Sequence, residues 1–90
     1  MRPMFVDGGF YQGAGSDELE VRDPATGEPV DSVPAGTAAD VDAAVAAAHA
    51  AFPGWWDTPA ARRGELLQQA TAHVRGHAGE LAAQLTREQG

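Results

Sequence analysis

Three side chains in the last third of the chain are spaced as though they could share a cation. His73 and His77 stand four residues apart and Glu80 follows about a turn later, which puts all three toward one side of a helix. A structural zinc asks for four ligands in closed geometry and a catalytic zinc for three plus an open position. The chain holds no cysteine to complete a set. With Gly76 and Gly79 close by and polar residues around them, the two histidines read as a solvated outer face. His49, lying among alanines, reads as a boundary residue rather than a ligand.

The segment "GAGSDE" at 13 to 18 is a loose form of a glycine-rich phosphate loop. A dinucleotide fingerprint needs a buried strand before it and a helix opening on its last glycine. Neither pattern flanks this one, so the segment reads as a flexible connection. Ser16 and Ser32 lack the G-x-S-x-G setting of an activated serine. Asp40 and Asp42 are accounted for by capping at a helix start, and Glu80 and Glu88 by helix surface. No nucleophile, base and oxyanion hole come together anywhere in the sequence.

Composition narrows the classes further. The ninety residues carry a net charge of −7, with six arginines and no lysine, so no basic face exists to neutralise a phosphate backbone and nucleic acid is excluded as a partner. No apolar run approaches the roughly 20 residues a bilayer requires, nor does the N-terminus carry a signal-peptide core. The expectation is a cytoplasmic chain with no membrane partner. Of the 43% hydrophobic residues nearly half are alanine, each of which buries little surface, so a solitary core would be thin.

The elements that would position any site come in two blocks. In "MFVDGGFYQ" an Asp-Gly-Gly lies between aromatic and β-branched pairs, which predicts a hairpin with a primed turn over about 4–11. "LEVRD" and "PVDSV" flank "DPATGE", where Pro24 presets a turn and Gly27 takes the positive φ that closes it, predicting a second hairpin over about 19–33. Thr37 with Asp40 makes a capping-box-like start to a helix over about 38–52. Its stripe is Val41, Val45, Ala48 and Phe52, and Pro53-Gly54 is expected to stop it, leaving Trp55 and Trp56 in a connection where their rings could plug one end of the core. Thr58 as N-cap and Pro59 at the first helical position predict a second helix over about 59–75. A break near Gly76-His77 leads to a third over about 77–89. Each stripe is narrow and lined with alanine, so each helix needs another surface to lie on, which two hairpins hardly supply.

Taken in order, "MFVDGGF", "LEVRDPATGEPVDSVPAGTAADVDAAVAAAHAAFPGWW" and "TPAARRGELLQQATAHVRGHAGELAAQLTREQG" resemble the N-terminal segment of the aldehyde dehydrogenase superfamily over nearly the whole chain. The most specific parts are "DPATGE", the run from Asp40 through Phe52 to Trp55, the Arg63 to Leu67 spacing, and the closing "REQG". Asp23 stands where the family usually has Asn, Phe10 where Trp is common, and the paired tryptophans where one is usual.

The resemblance implies an α+β fragment, residues 1–90 being a partial N-terminal portion at the periphery of the α/β cofactor-binding domain. In the full-length family, NAD or NADP serves the oxidation of an aldehyde to a carboxylic acid, a cysteine is the nucleophile, and the enzyme is homo-oligomeric. None of the catalytic or cofactor-binding residues lies in this stretch, so no cofactor is expected to bind this chain alone and the chain alone is expected to be inactive. Its partner would be the remainder of the aldehyde dehydrogenase polypeptide, the chain being truncated after Gly90. Some members hold a monovalent cation at positions matching Val21, Arg22 and Glu88, although Arg22 sets a positive charge beside such an ion. The rival expectation is a stand-alone interaction module that docks onto a partner or a separately encoded remainder.

Overall fold

The computed structural model describes residues 1–90. Strands β1 (Met4–Val6) and β2 (Gly9–Tyr11) form an antiparallel hairpin with Val6 opposite Gly9, so Asp7 and Gly8 alone make the loop. Both take positive φ, 53° and 77°, the pair of left-handed residues that a type I′ turn needs to match the twist of its strands. Phe5 and Phe10 face each other across it, edge to face, with centroids 5.1 Å apart.

Strands β3 (Glu18–Arg22) and β4 (Pro29–Pro34) form the second hairpin, with an irregularity between Val21 and Arg22. Its turn closes as the sequence requires. Asp23 Oδ1 accepts from the Ala25 amide at 2.8 Å, the Asx bond expected of Asn at that place, and Gly27 takes φ 76°. The chain's first residues are tied to this hairpin: the Arg2 amide donates to Ser32 O at 2.9 Å and its Nε donates to Asp31 Oδ2 at 2.9 Å.

Three helices follow, α1 (Ala38–Asp57), α2 (Ala60–Gly76) and α3 (Ala78–Gln89). The α1 start carries the full capping box between Thr37 and Asp40, and the α2 to α3 break falls at His77. Two expectations fail. First, α1 runs through Pro53 and Gly54 to Asp57 and does not stop at Phe52. A proline so near the end forfeits one backbone bond, and two interactions hold the last turn. Phe52 and Trp56, four residues apart, bring their rings within 5.7 Å, a pairing that needs unbroken helix. The Thr58 hydroxyl donates to Gly54 O at 2.8 Å. Trp55 and Trp56 are therefore helical and exposed, and plug no core. Second, because Thr58 is engaged backwards, α2 begins on Pro59 as its N-cap with no side-chain cap.

The elements do not close around an interior. A folded monomer of 9.3 kDa exposes about 5,000 Å², whereas this chain exposes 6872 Å². Its radius of gyration is 16.7 Å, where a compact chain of this length would have about 12 Å. The molecule is a slab of 48 × 34 × 15 Å. No hydrophobic residue is buried.

Candidate functional site

The one buried residue is an acid. Asp40 is 4% exposed and acts as a clasp on four donors. Its Oδ1 accepts from the Tyr11 hydroxyl and, at 2.8 Å, from the Ala14 amide. Its Oδ2 accepts from the Thr37 amide at 2.9 Å and the Thr37 hydroxyl at 3.0 Å. One carboxylate thus joins the end of the first hairpin, the glycine-rich connection and the start of α1. The Tyr11 hydroxyl, then the Thr37 and Ala14 amides, hold the Asp40 pKa down to about 2, while the same carboxylate pushes the Tyr11 hydroxyl above its ordinary value. Gly13 is required by the close approach: at φ 89°, an added Cβ would lie 3.3 Å from Asp40 Oδ2 and 3.1 Å from the Met4 methyl.

The segment read as a flexible connection is anchored at Ala14 by this bond, and Asp40 does more than cap a helix. The signal for this lay in the ordering of the residues. Tyr11, the G-A-G run and the Thr37/Asp40 box all precede or open one helix, but nothing local says that they meet. The loop is also engaged from within the chain. Its Ala14 amide is spent on a carboxylate of the chain itself, whose charge would repel a pyrophosphate.

The other chemically suggestive residues stay apart. His77 Nδ1 lies 2.9 Å from His73 O and the two rings are 4.7 Å apart, but no group of three or more His, Cys, Asp or Glu residues is arranged to hold a metal, Glu80 included. Of the cation positions implied by resemblance, Val21 sits opposite Asp31 in the second hairpin. The Arg22 guanidinium donates to Gly27 O at 2.7 Å and pairs with Glu20, and Glu88 accepts from Gln84 at 3.0 Å. Glu88 and Gln84 share a small cleft with Arg2, Val30, Asp31 and Arg87. No helix is long and apolar enough to cross a membrane.

What the structure leaves uncovered is a set of large apolar side chains along the helices. Helix α1 meets the first hairpin through Ala44 and Ala47, whose short side chains leave an open groove of about 330 Å³ against Phe5 and Val6. Val41, Val45 and Phe52, from the stripe expected to need a surface beyond the hairpins, are exposed. Helix α3 turns half-buried Gln84 and Glu88 inward, while Leu81 and Leu85 stand outside. Leu67, Val74, Trp55 and Trp56 are exposed as well. This is inverted packing for a lone domain, in which apolar stripes turn inward, and normal packing for a piece that covers something larger. Against a compact monomer the surplus surface is about 1,900 Å². That exceeds the roughly 800 Å² one partner gives to a standard interface.

Comparison with known proteins agrees. The model of the aldehyde dehydrogenase family matches residues 10–90. A probable methylmalonate-semialdehyde/malonate-semialdehyde dehydrogenase of Dictyostelium discoideum is 38% identical over 87 residues, 97% of this chain and 16% of that protein. An N-succinylglutamate 5-semialdehyde dehydrogenase of Serratia proteamaculans is 38% identical over 94% of this chain and 17% of its own length. A solved structure from Burkholderia cenocepacia, described as an aldehyde dehydrogenase, superposes with a TM-score of 0.90 at 36% identity, covering 96% of this chain and 18% of that one. The chain spans about a sixth of the length of the curated relatives it matches. An α+β piece built of two hairpins and three helices, it belongs to the aldehyde dehydrogenase family and corresponds to the N-terminal segment of that superfamily.

Proposed function

We propose that this chain is the N-terminal edge of an NAD(P)-dependent aldehyde dehydrogenase, lying on the periphery of the cofactor-binding domain and inactive without the remainder of the polypeptide. One observation carries the reading: large apolar side chains stand exposed along all three helices, and no apolar residue is buried. The role is structural. The Asp40 clasp presets the angle between the first hairpin and α1, so the apolar face meets the larger body already arranged, which lowers the ordering cost of docking.

Chemistry supports the second half of the proposal. Aldehyde oxidation through a thiohemiacetal needs a thiolate, and the chain has no cysteine. Hydride transfer needs a seat for the nicotinamide cofactor, and the one glycine-rich loop is closed on Asp40. The remainder would supply nucleophile, base and cofactor site together.

The test is reconstitution. The Burkholderia relative is expressed without the segment this chain matches, then mixed with residues 1–90, and NADH or NADPH production from propanal is followed with the intact relative as reference. Residues 1–90 alone are expected to give no turnover, and the mixture to recover activity that the shortened relative lacks. Turnover by the ninety residues alone would overturn the proposal. A tight complex that never recovers activity would favour the interaction-module reading instead.

A further inference from the structure

The chain has one buried side-chain nitrogen or oxygen without a hydrogen-bond partner, the Nε of Arg63. Its neighbour Arg62 is satisfied by Glu65 at 3.0 Å, and Arg63 takes no part in any of the chain's ion pairs. Arg75 and Arg87 are also outside the ion pairs, but only Arg63 has a shielded nitrogen with no partner. Arg63 lines an open cleft of about 350 Å³ between the last turn of α1 and the first turns of α2, together with Trp55, Ala60, Gly64 and Leu67. Ala60 and Gly64 leave it hollow, while Trp55 and Leu67 wall it with exposed apolar surface. Helix α2 also begins with no side-chain cap and no acid in its first turn, so its positive end is uncompensated beside the guanidinium.

We infer that this cleft receives an apolar stretch of the remaining aldehyde dehydrogenase polypeptide that carries a carboxylate side chain, and that Arg63 is the residue that selects and orients it. The inference rests on the proposed docking role. A guanidinium presents a planar fork that a carboxylate fills with two parallel bonds. In the free chain the Nε hydrogen has neither water nor protein to bond, a penalty that ends when the side chain swings onto an incoming carboxylate. The walls fix what surrounds that acid: aliphatic or aromatic neighbours to cover Trp55 and Leu67. Water is thereby excluded, so removing either partner leaves the other charge buried and unpaired.

The experiment measures the affinity of purified residues 1–90 for the shortened Burkholderia relative, using wild type, Arg63→Ala, Arg63→Lys and Arg62→Ala. Arg63→Ala is expected to weaken the complex at least tenfold, Arg63→Lys to fall between, and Arg62→Ala to stay within twofold. Alanine substitutions of the acids on the shortened relative should include one that weakens wild type but adds nothing to Arg63→Ala. If the shortened relative is insoluble, the same variants are made in a single-chain chimera with residues 1–90 replacing the matched segment, and melting temperatures are compared in the same pattern. Equal behaviour of Arg63→Ala and Arg62→Ala would overturn the Arg63 assignment and leave the docking role standing. A chimera that fails to fold, with no complex from wild type, would overturn both.

Discussion

Replacing Asp40 with asparagine tests whether the clasp exists in solution. Each carboxylate oxygen accepts from one backbone amide and one hydroxyl, Ala14 and Tyr11 on one side and Thr37 on the other. Asparagine offers one acceptor oxygen and one NH₂ donor in their place. The hydroxyls can rotate and accept, but a backbone N–H cannot. Whichever way the new amide is turned, either Ala14 or Thr37 then faces a donor. Leaving one shielded N–H unpaired raises its local opening roughly ten- to a hundredfold, which amide hydrogen exchange followed by NMR reads directly at those two residues. Acid makes the same break reversibly. The folded Asp40 pKa is lowered to about 2, below the unfolded value of about 3.9. The clasp's contribution is therefore complete above about pH 4 and is lost as pH falls through about 2. The Ala14 and Thr37 amide resonances should titrate near pH 2, and Tyr11→Phe should move that midpoint upward, because the Tyr11 hydroxyl is the largest single cause of the depression. At the other end, the raised Tyr11 pKa means the bond is complete below its ordinary 10.0 and is lost as pH rises past the folded value. Unchanged exchange in Asp40→Asn, or a wild-type midpoint near 3.9, would refute the clasp.

Two further substitutions probe the geometry on either side of it. Gly13→Ala adds a Cβ at φ 89° against Asp40 and Met4, so it should shift the Ala14 amide resonance, raise the Asp40 midpoint and cost roughly 1–2 kcal/mol; a spectrum identical to wild type would show the loop lies elsewhere. Pro53→Ala removes a ring from inside α1 and restores a donor to the His49 carbonyl. With an interior proline costing roughly 3 kcal/mol, ellipticity at 222 nm should become more negative, whereas an unchanged spectrum would count against a helix that runs through residue 53.

What could be read from sequence was what local chemistry decides. Asp7-Gly8, Asp23 with Gly27, and Thr37 with Asp40 each specify a turn or a cap through their own backbone preferences, and each formed where expected. The end of α1 was misplaced because Pro53 was weighed alone. The Phe52 to Trp56 pairing and the Thr58 bond to Gly54 form only when the helix continues past it, and neither is visible in Pro53 itself. The direction of the stripes is the deeper lesson. Val41, Val45 and Phe52 follow helical spacing and share a face; the narrow, alanine-lined stripe already asked for a surface beyond the hairpins, and the structure leaves it exposed. Tyr11 meeting Asp40 is a contact across 29 residues, and neither residue's neighbours announce it. Arg63 is similar, since only the folded cleft distinguishes it from Arg62.

Thermal unfolding of purified residues 1–90, followed at 222 nm, bears most directly on the claim that this chain is an edge without a core. A ninety-residue domain with its own interior unfolds with an enthalpy of about 60 kcal/mol. With no buried apolar residue, this chain should show helical ellipticity that declines gradually on heating, with an apparent enthalpy well below that value. A single sharp transition near the full enthalpy, from a sample shown by sedimentation to be monomeric, would contradict it.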